Sequence, residues 1–156
     1  MKARTIALTL ALCSVGVVAG LAASADAQMG TWKLNEAKSK LGAGMPKNHT
    51  VVYEAAGKNV KVTVDGVDGE GKPAHNEWTG KFDGKDYPVT GDATADTRSY
   101  TMVNNRTLSL ENKKDGKVTL TGRVVVSVDG KTRTVTTTGT NAKGKRVTNT
   151  AVYDKQ

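Results

Sequence analysis

Residues 117–145 read KVTLTGRVVVSVDGKTRTVTTTGTNAKGK, and this stretch decides the fold. Val118, Leu120, Gly122, Val124, Val126 and Val128 alternate with mostly polar neighbours. That period of two is the pattern of a strand with one buried face. Asp129-Gly130-Lys131 interrupts the run with a dipeptide suited to tight hairpins. Thr132 to Thr140 then resumes it as a threonine-rich segment without helical period. Two strands and a tight turn make an antiparallel hairpin.

The same beat runs outward along the chain. Gly-Lys pairs recur at 57–58, 71–72, 84–85, 116–117, 130–131 and 144–145. The one long gap among them holds further turn signals near Gly91-Asp92 and Asn104-Asn105. The strands between these turns do not resemble one another, so the beat is a hairpin meander and not a solenoid repeat. About ten strands are expected, near 30–34, 49–55, 60–67, 74–82, 86–90, 97–103, 106–112, 117–128, 131–140 and 145–154. Only Asn35 to Leu41 reads as a helical turn, with Asn35 as its cap.

The fold class is therefore all-β, an antiparallel up-and-down meander. Such a sheet leaves two exposed edges unless it closes, and closure as a lipocalin-like barrel removes both. The alternative is a β-sandwich. Alternation points Val51, Tyr53, Val62, Val64, Trp78, Phe82, Tyr87, Tyr100, Met102, Leu108, Leu110, Val124, Val126, Val147 and Tyr153 inward, with Gly80, Gly122, Gly139 and Ala151 among them. A ten-stranded barrel lined so sparsely has room for a cavity, unless it flattens until its side chains meet.

The chain begins like an exported protein. Lys2 and Arg4 precede an apolar run, Ile6 to Leu21, and Ala25-Asp26-Ala27 offers the small residues of a cleavage site. The expected organisation is a cleaved signal peptide over 1–27 and a single barrel domain over 28–156, periplasmic or secreted. Cys13, the only cysteine, falls in the signal, so the domain has neither disulfides nor a thiolate metal site.

The net charge of +8 is unevenly placed. Residues 30–47 and 117–156 are basic, whereas 48–116 are slightly acidic. Lys143, Lys145 and Arg146 form a compact basic group suited to anionic lipid or glycan, although lysines on turns also serve solubility. No basic-plus-aromatic stacking motif points to nucleic acid, and none is expected as a partner.

Gly30-Thr31-Trp32 opens the first strand, where lipocalins carry a Gly-x-Trp motif. The end, Ala151-Val152-Tyr153-Asp154-Lys155, resembles the last strand of intracellular fatty-acid-binding proteins. More of the chain resembles a group of small exported bacterial proteins of unassigned function. They share the opening Gly30 to Asn35 with Ala37-Lys38-Ser39, and a Lys-Phe-Asp-Gly-Lys-x-Tyr-Pro segment, here Lys81 to Pro88. A few residues of the opening are also similar to periplasmic polyisoprenoid-binding proteins. The resemblance implies a calycin-like barrel for a small apolar or lipid-like ligand. It does not carry over the fatty-acid carboxylate clamp, because the arginine two residues before the terminal tyrosine is here Ala151. Arg133 or Arg123 could take that place, and strand parity leaves the orientation of both open.

Trp32, Tyr53, Trp78, Phe82, Tyr100, Met102, Tyr153 and Arg133 are the candidate cavity wall; ordinary core packing is the alternative for each aromatic. His49 and His75 lack ligand spacing, so no metal or cofactor is expected. Ser39, Ser99, Ser109 and Ser127 lie outside any nucleophile elbow, and Asp65 to Lys72 lacks the oxygen-ligand pattern of a calcium loop. No catalytic residue is expected. The leading expectation is a monomeric, non-catalytic binding protein for a small apolar or amphipathic ligand. The alternative is a cell-envelope interaction module that uses Lys143, Lys145 and Arg146.

Overall fold

The alternating stretch becomes β8 (Lys117–Val126) and β9 (Thr132–Thr140) of a computed structural model that describes residues 26–156. Residues 1–25, which hold Cys13 and most of the expected signal segment, lie outside the described residues. Eight further strands complete the set: β1 (Gly30–Leu34), β2 (Lys47–Ala56), β3 (Asn59–Val67), β4 (Pro73–Gly80), β5 (Tyr87–Thr90), β6 (Thr97–Asn104), β7 (Thr107–Lys114) and β10 (Arg146–Lys155). All neighbours pair antiparallel in chain order, and β1 pairs with β10, so the sheet closes as a barrel. The seam is in register through Trp32 with Lys155 and Leu34 with Tyr153. Closure excludes the sandwich.

Turn chemistry differs among the Asp-Gly pairs. At Asp115-Gly116 both residues take positive φ (50° and 73°), as a two-residue hairpin requires. Asp83 and Asp129 do not take positive φ. Their carboxylates instead accept the backbone N–H of the residue two positions on, Lys85 at 3.1 Å and Lys131 at 3.0 Å. The helical segment shortens to one 3₁₀ turn, Glu36–Lys38, where the Asn35 carboxamide accepts the Lys38 N–H at 3.2 Å.

The up-and-down order gives the barrel two ends. The connections after β2, β4, β6 and β8 lie at one end together with the start of β1. The connections after β1, β3, β5, β7 and β9 lie at the other. At the first end Trp32, Val62, Trp78, Leu108 and Val126 are fully buried and fill the interior. Gln28 reaches under them, its Nε2 donating to the Arg106 carbonyl at 3.3 Å. This half is a packed core. The other half is not filled.

Candidate functional site

A cavity of about 520 Å³ occupies the second half of the barrel. Its walls are built from alternate positions of consecutive strands: Val51 and Tyr53 of β2, Val64 of β3, Leu110 of β7, Val124 of β8, Val135 of β9, Ala151 of β10. Apart from Tyr53 and Leu110 these side chains are short or β-branched, and they leave the centre open. The mouth is formed by Leu34, Leu41, Met45 and Pro46 on one side, and by Val67 to Gly69 with Gly91 to Thr94 on the other. The volume lies within the range of small-molecule sites.

The floor is polar and aromatic together. Arg133 is 2% exposed and lines the cavity with Tyr53, Tyr100 and Tyr153. Its guanidinium lies 4.9 Å from the centres of the Tyr53 and Tyr153 rings and 5.0 Å from that of Trp32. Its Nε and Nη1 have no hydrogen-bond partner among the described residues, and no carboxylate there pairs with it. Cation–π contacts of this kind offset part of the desolvation of a buried guanidinium, each by about 1–2 kcal/mol. Burial pushes the Tyr53 phenol pKa well above its ordinary value, and Tyr100 adds to the rise against the opposing pull of Arg133. Burial likewise raises Tyr153 to about 12. Both phenols are therefore neutral O–H groups at ordinary pH.

A second buried arginine lies nearer the mouth. Arg98, 6% exposed, donates Nε to Asn112 Oδ1 at 2.9 Å, Nη1 to Asn76 Oδ1 at 3.3 Å and Nη2 to Asp92 Oδ2 at 3.2 Å. Its charge is thus spent within the protein. Asn149 also faces inward and accepts the Gly42 N–H at 2.8 Å, fixing the segment that borders the mouth.

Of the eight candidate wall residues, Tyr53, Tyr100, Tyr153 and Arg133 line the cavity together. Trp32, Trp78, Phe82 and Met102 do not. They lie below the floor in the packed half, where the Trp32 indole donates to the Gln28 carbonyl at 2.8 Å and the Trp78 indole to that of Arg98 at 2.8 Å. Phe82 stacks on Trp78 with ring centres 6.4 Å apart, and Met102 packs against the same cluster. Alternation separates inside from outside but carries no information on depth along the axis, which is why these four were misplaced. Arg123 points outward and is exposed. Arg98 and Asn112 were missed, although Arg98 shares the parity of Tyr100 and Met102; a list drawn from large apolar residues passes over polar ones on the same face.

His75 lies on the outer surface, 2.6 Å from Asp65 and 3.7 Å from Glu77. Lys143 and Lys145 on the β9–β10 connection and Arg146, the first residue of β10, are all exposed at the mouth end. That connection is tied to the segment before β2 by Asn141 Nδ2 donating to the Ala43 carbonyl at 3.1 Å and the Ala142 N–H to that of Gly44 at 3.3 Å.

Neither a family model nor a curated protein sequence matches the chain. Among solved structures it is similar to a redesigned β-barrel, mFAP1, bound to DFHBI, with 14% identity over 85% of this chain and 99% of that one at a TM-score of 0.47. A second redesigned β-barrel gives 12% identity over 87% and 97%, with a TM-score of 0.46. A third structure, EF1p2 mFAP2b bound to DFHBI, gives 11% over 86% and 98% with a TM-score of 0.48.

Proposed function

We propose that this chain is an exported, non-catalytic carrier that holds one small amphipathic, lipid-like molecule in the open half of its barrel. The observation that carries the reading is the cavity itself. It is about 520 Å³, closed below by a packed aromatic floor, walled by valine, leucine and alanine interspersed with polar side chains such as Arg98, Asn112, Thr137 and Asn149, and open at one end. Filling a well-packed interior would stabilise the fold, and a half-empty one forgoes that contribution. Recovering it by binding an apolar body is the use that this geometry supports.

Native mass spectrometry of protein purified from its own host tests the proposal. The expected result is a population heavier than the apo chain by the mass of one small molecule, lost on organic extraction. Ala151 lines the cavity, so Ala151→Phe should abolish the adduct while the protein remains folded. A clean apo mass for the native chain, and no uptake of added amphiphiles, would overturn the carrier reading.

A second reading, docking to anionic lipid or glycan, is favoured by one feature. Lys143, Lys145 and Arg146 are exposed together at the mouth end, and none is ion-paired among the described residues.

A further inference from the structure

We infer that the molecule held in the barrel carries a neutral carbonyl, ketone or ester, received between floor and mouth by the side-chain amides of Asn76, Asn112 and Asn149. This deepens the carrier reading and rests on it.

Strand parity puts all three amides on the inner wall above the floor. Asn76 is the inward residue next to Trp78 on the mouth side of β4, Asn112 follows Leu110 on β7, and Asn149 precedes Ala151 on β10. All three line the cavity, and Asn112 and Asn149 are buried. Each has its oxygen engaged by the protein. Asn112 Oδ1 accepts from Arg98 Nε at 2.9 Å, Asn76 Oδ1 from Arg98 Nη1 at 3.3 Å, and Asn149 Oδ1 from the Gly42 N–H at 2.8 Å. A guanidinium and a backbone N–H only donate, so these partners fix which end of each amide is the oxygen. The Nδ2 ends remain, and no protein acceptor among the described residues takes any of them. A purely apolar ligand would leave these donors desolvated and unpaired, which is costly; an acceptor oxygen at their level satisfies them.

The same belt holds little that accepts. Asp92 spends its carboxylate on Arg98 and on Thr94. Thr137, opposite Asn149 in the β9–β10 pairing, has a hydroxyl that both donates and accepts. Asn48 and Asp68 stand at the rim, where Asp68 accepts the N–H groups of Glu70 and Lys72. Arg133 below adds donors and no acceptor. A ligand amine or hydroxyl would bring protons to a belt already in surplus of them, whereas a carbonyl brings lone pairs alone. Charge points the same way. Arg98 is matched by Asp92 at 3.2 Å, so the belt favours a neutral group.

The test exposes the full chain, as its host exports it, to two series of matched shape. One is the methyl ketones from octanone to dodecanone, isotopically labelled at the carbonyl. The other is the hydrocarbons in which C=CH₂ replaces C=O. Depletion of each volatile ligand from the headspace gives its affinity, and infrared difference spectra read the bound carbonyl. The native protein should take up ketone with the carbonyl stretch at lower frequency than in hexane, as amide donors require. Asn112→Asp keeps an oxygen for Arg98 Nε, whose charge holds the new carboxylate ionised, and replaces the Nδ2 donor by an acceptor. The ratio of ketone to hydrocarbon affinity should then fall at least about tenfold. Where Asn112→Asp misfolds, Asn149→Asp, which keeps an oxygen for the Gly42 N–H, makes the same comparison. A carbonyl frequency equal to that in hexane, or an unchanged ratio in the folded variant, overturns the carbonyl assignment and leaves the carrier reading standing. Uptake of neither series overturns the carrier reading itself, and the carbonyl assignment with it. The infrared reading needs no variant, so misfolding of both would not rescue a failed result.

Discussion

Tyr153 shows how one position serves both the seam and the cavity. Its backbone pairs across the closure with Leu34, and its ring borders the floor 4.9 Å from the Arg133 guanidinium. Burial raises its phenol from 10.0 to about 12, so folding holds the proton that the unfolded chain gives up first. The native state then binds more protons than the unfolded state between these values, and stability falls as pH rises through that window. Two pH units correspond to roughly 2–3 kcal/mol for this one group. Tyr53, raised in the same direction, steepens the loss. Urea unfolding at pH 9, 10, 11 and 12 should show a progressive decline. Tyr153→Phe should show a shallower one, because the variant has no phenol to ionise in either state. An identical pH dependence in the two proteins would refute this account. The inward side of Tyr153 was legible in the sequence from alternation with Val147, and so was that of Tyr53 with Val51. Arg133 was named from sequence as a wall residue without a settled orientation, since a threonine-rich strand gives parity little contrast. The structure resolves it by the pairing of Arg133 with Tyr153.

At the level of elements the barrel is uneven. β5 has only four residues and meets β4 through Glu77 with Thr90 and Trp78 with Val89, and β6 through Tyr87 with Arg98 and Pro88 with Thr97. By contrast β9 and β10 pair along their whole length, from Thr132 with Asp154 to Thr140 with Arg146. The Arg98 network spans this weak sector, joining Asn76 of β4, Asp92 of the connection after β5, and Asn112 of β7. Breaking a buried, hydrogen-bonded charge pair by removing one partner costs about 3–5 kcal/mol, because the other is left desolvated. Arg98→Ala should therefore lower stability by that order in urea unfolding. It should also accelerate amide hydrogen exchange in 87–96 more than in β9 or β10. A uniform acceleration over all strands would show that Arg98 acts on global stability alone. The beat of Gly-Lys turns placed β5 correctly from sequence but could not show how little it pairs, since that depends on the long connections flanking it.

On the scale of the whole molecule, closure joins basic β1 and β10 and sets the β9–β10 turn at the mouth end, a placement that follows from strand order alone. Depth along the axis does not follow from it: register and strand tilt decide that Trp32 and Trp78 fill one half while Val51, Val135 and Ala151 leave the other open. The same geometry lets the two functional readings be separated. A carrier loading at an anionic membrane would present its mouth with Lys143, Lys145 and Arg146 toward the surface. Each basic residue near such a surface contributes about 1 kcal/mol, so the three together are worth roughly two orders of magnitude in affinity at low salt. Vesicles of mixed zwitterionic and anionic lipid should therefore retain the native protein, and the triple variant K143E/K145E/R146E should be released. Raising the salt concentration should release the native protein as well, because these exposed charges are screened over about 8–10 Å at physiological ionic strength. Uptake of a soluble amphiphile should be unchanged in the triple variant and lost in Ala151→Phe, since the first alters only the rim and the second only the interior. Vesicle binding that persists in the triple variant, or that ignores salt, would eliminate the docking role and leave the basic turn as a device for solubility.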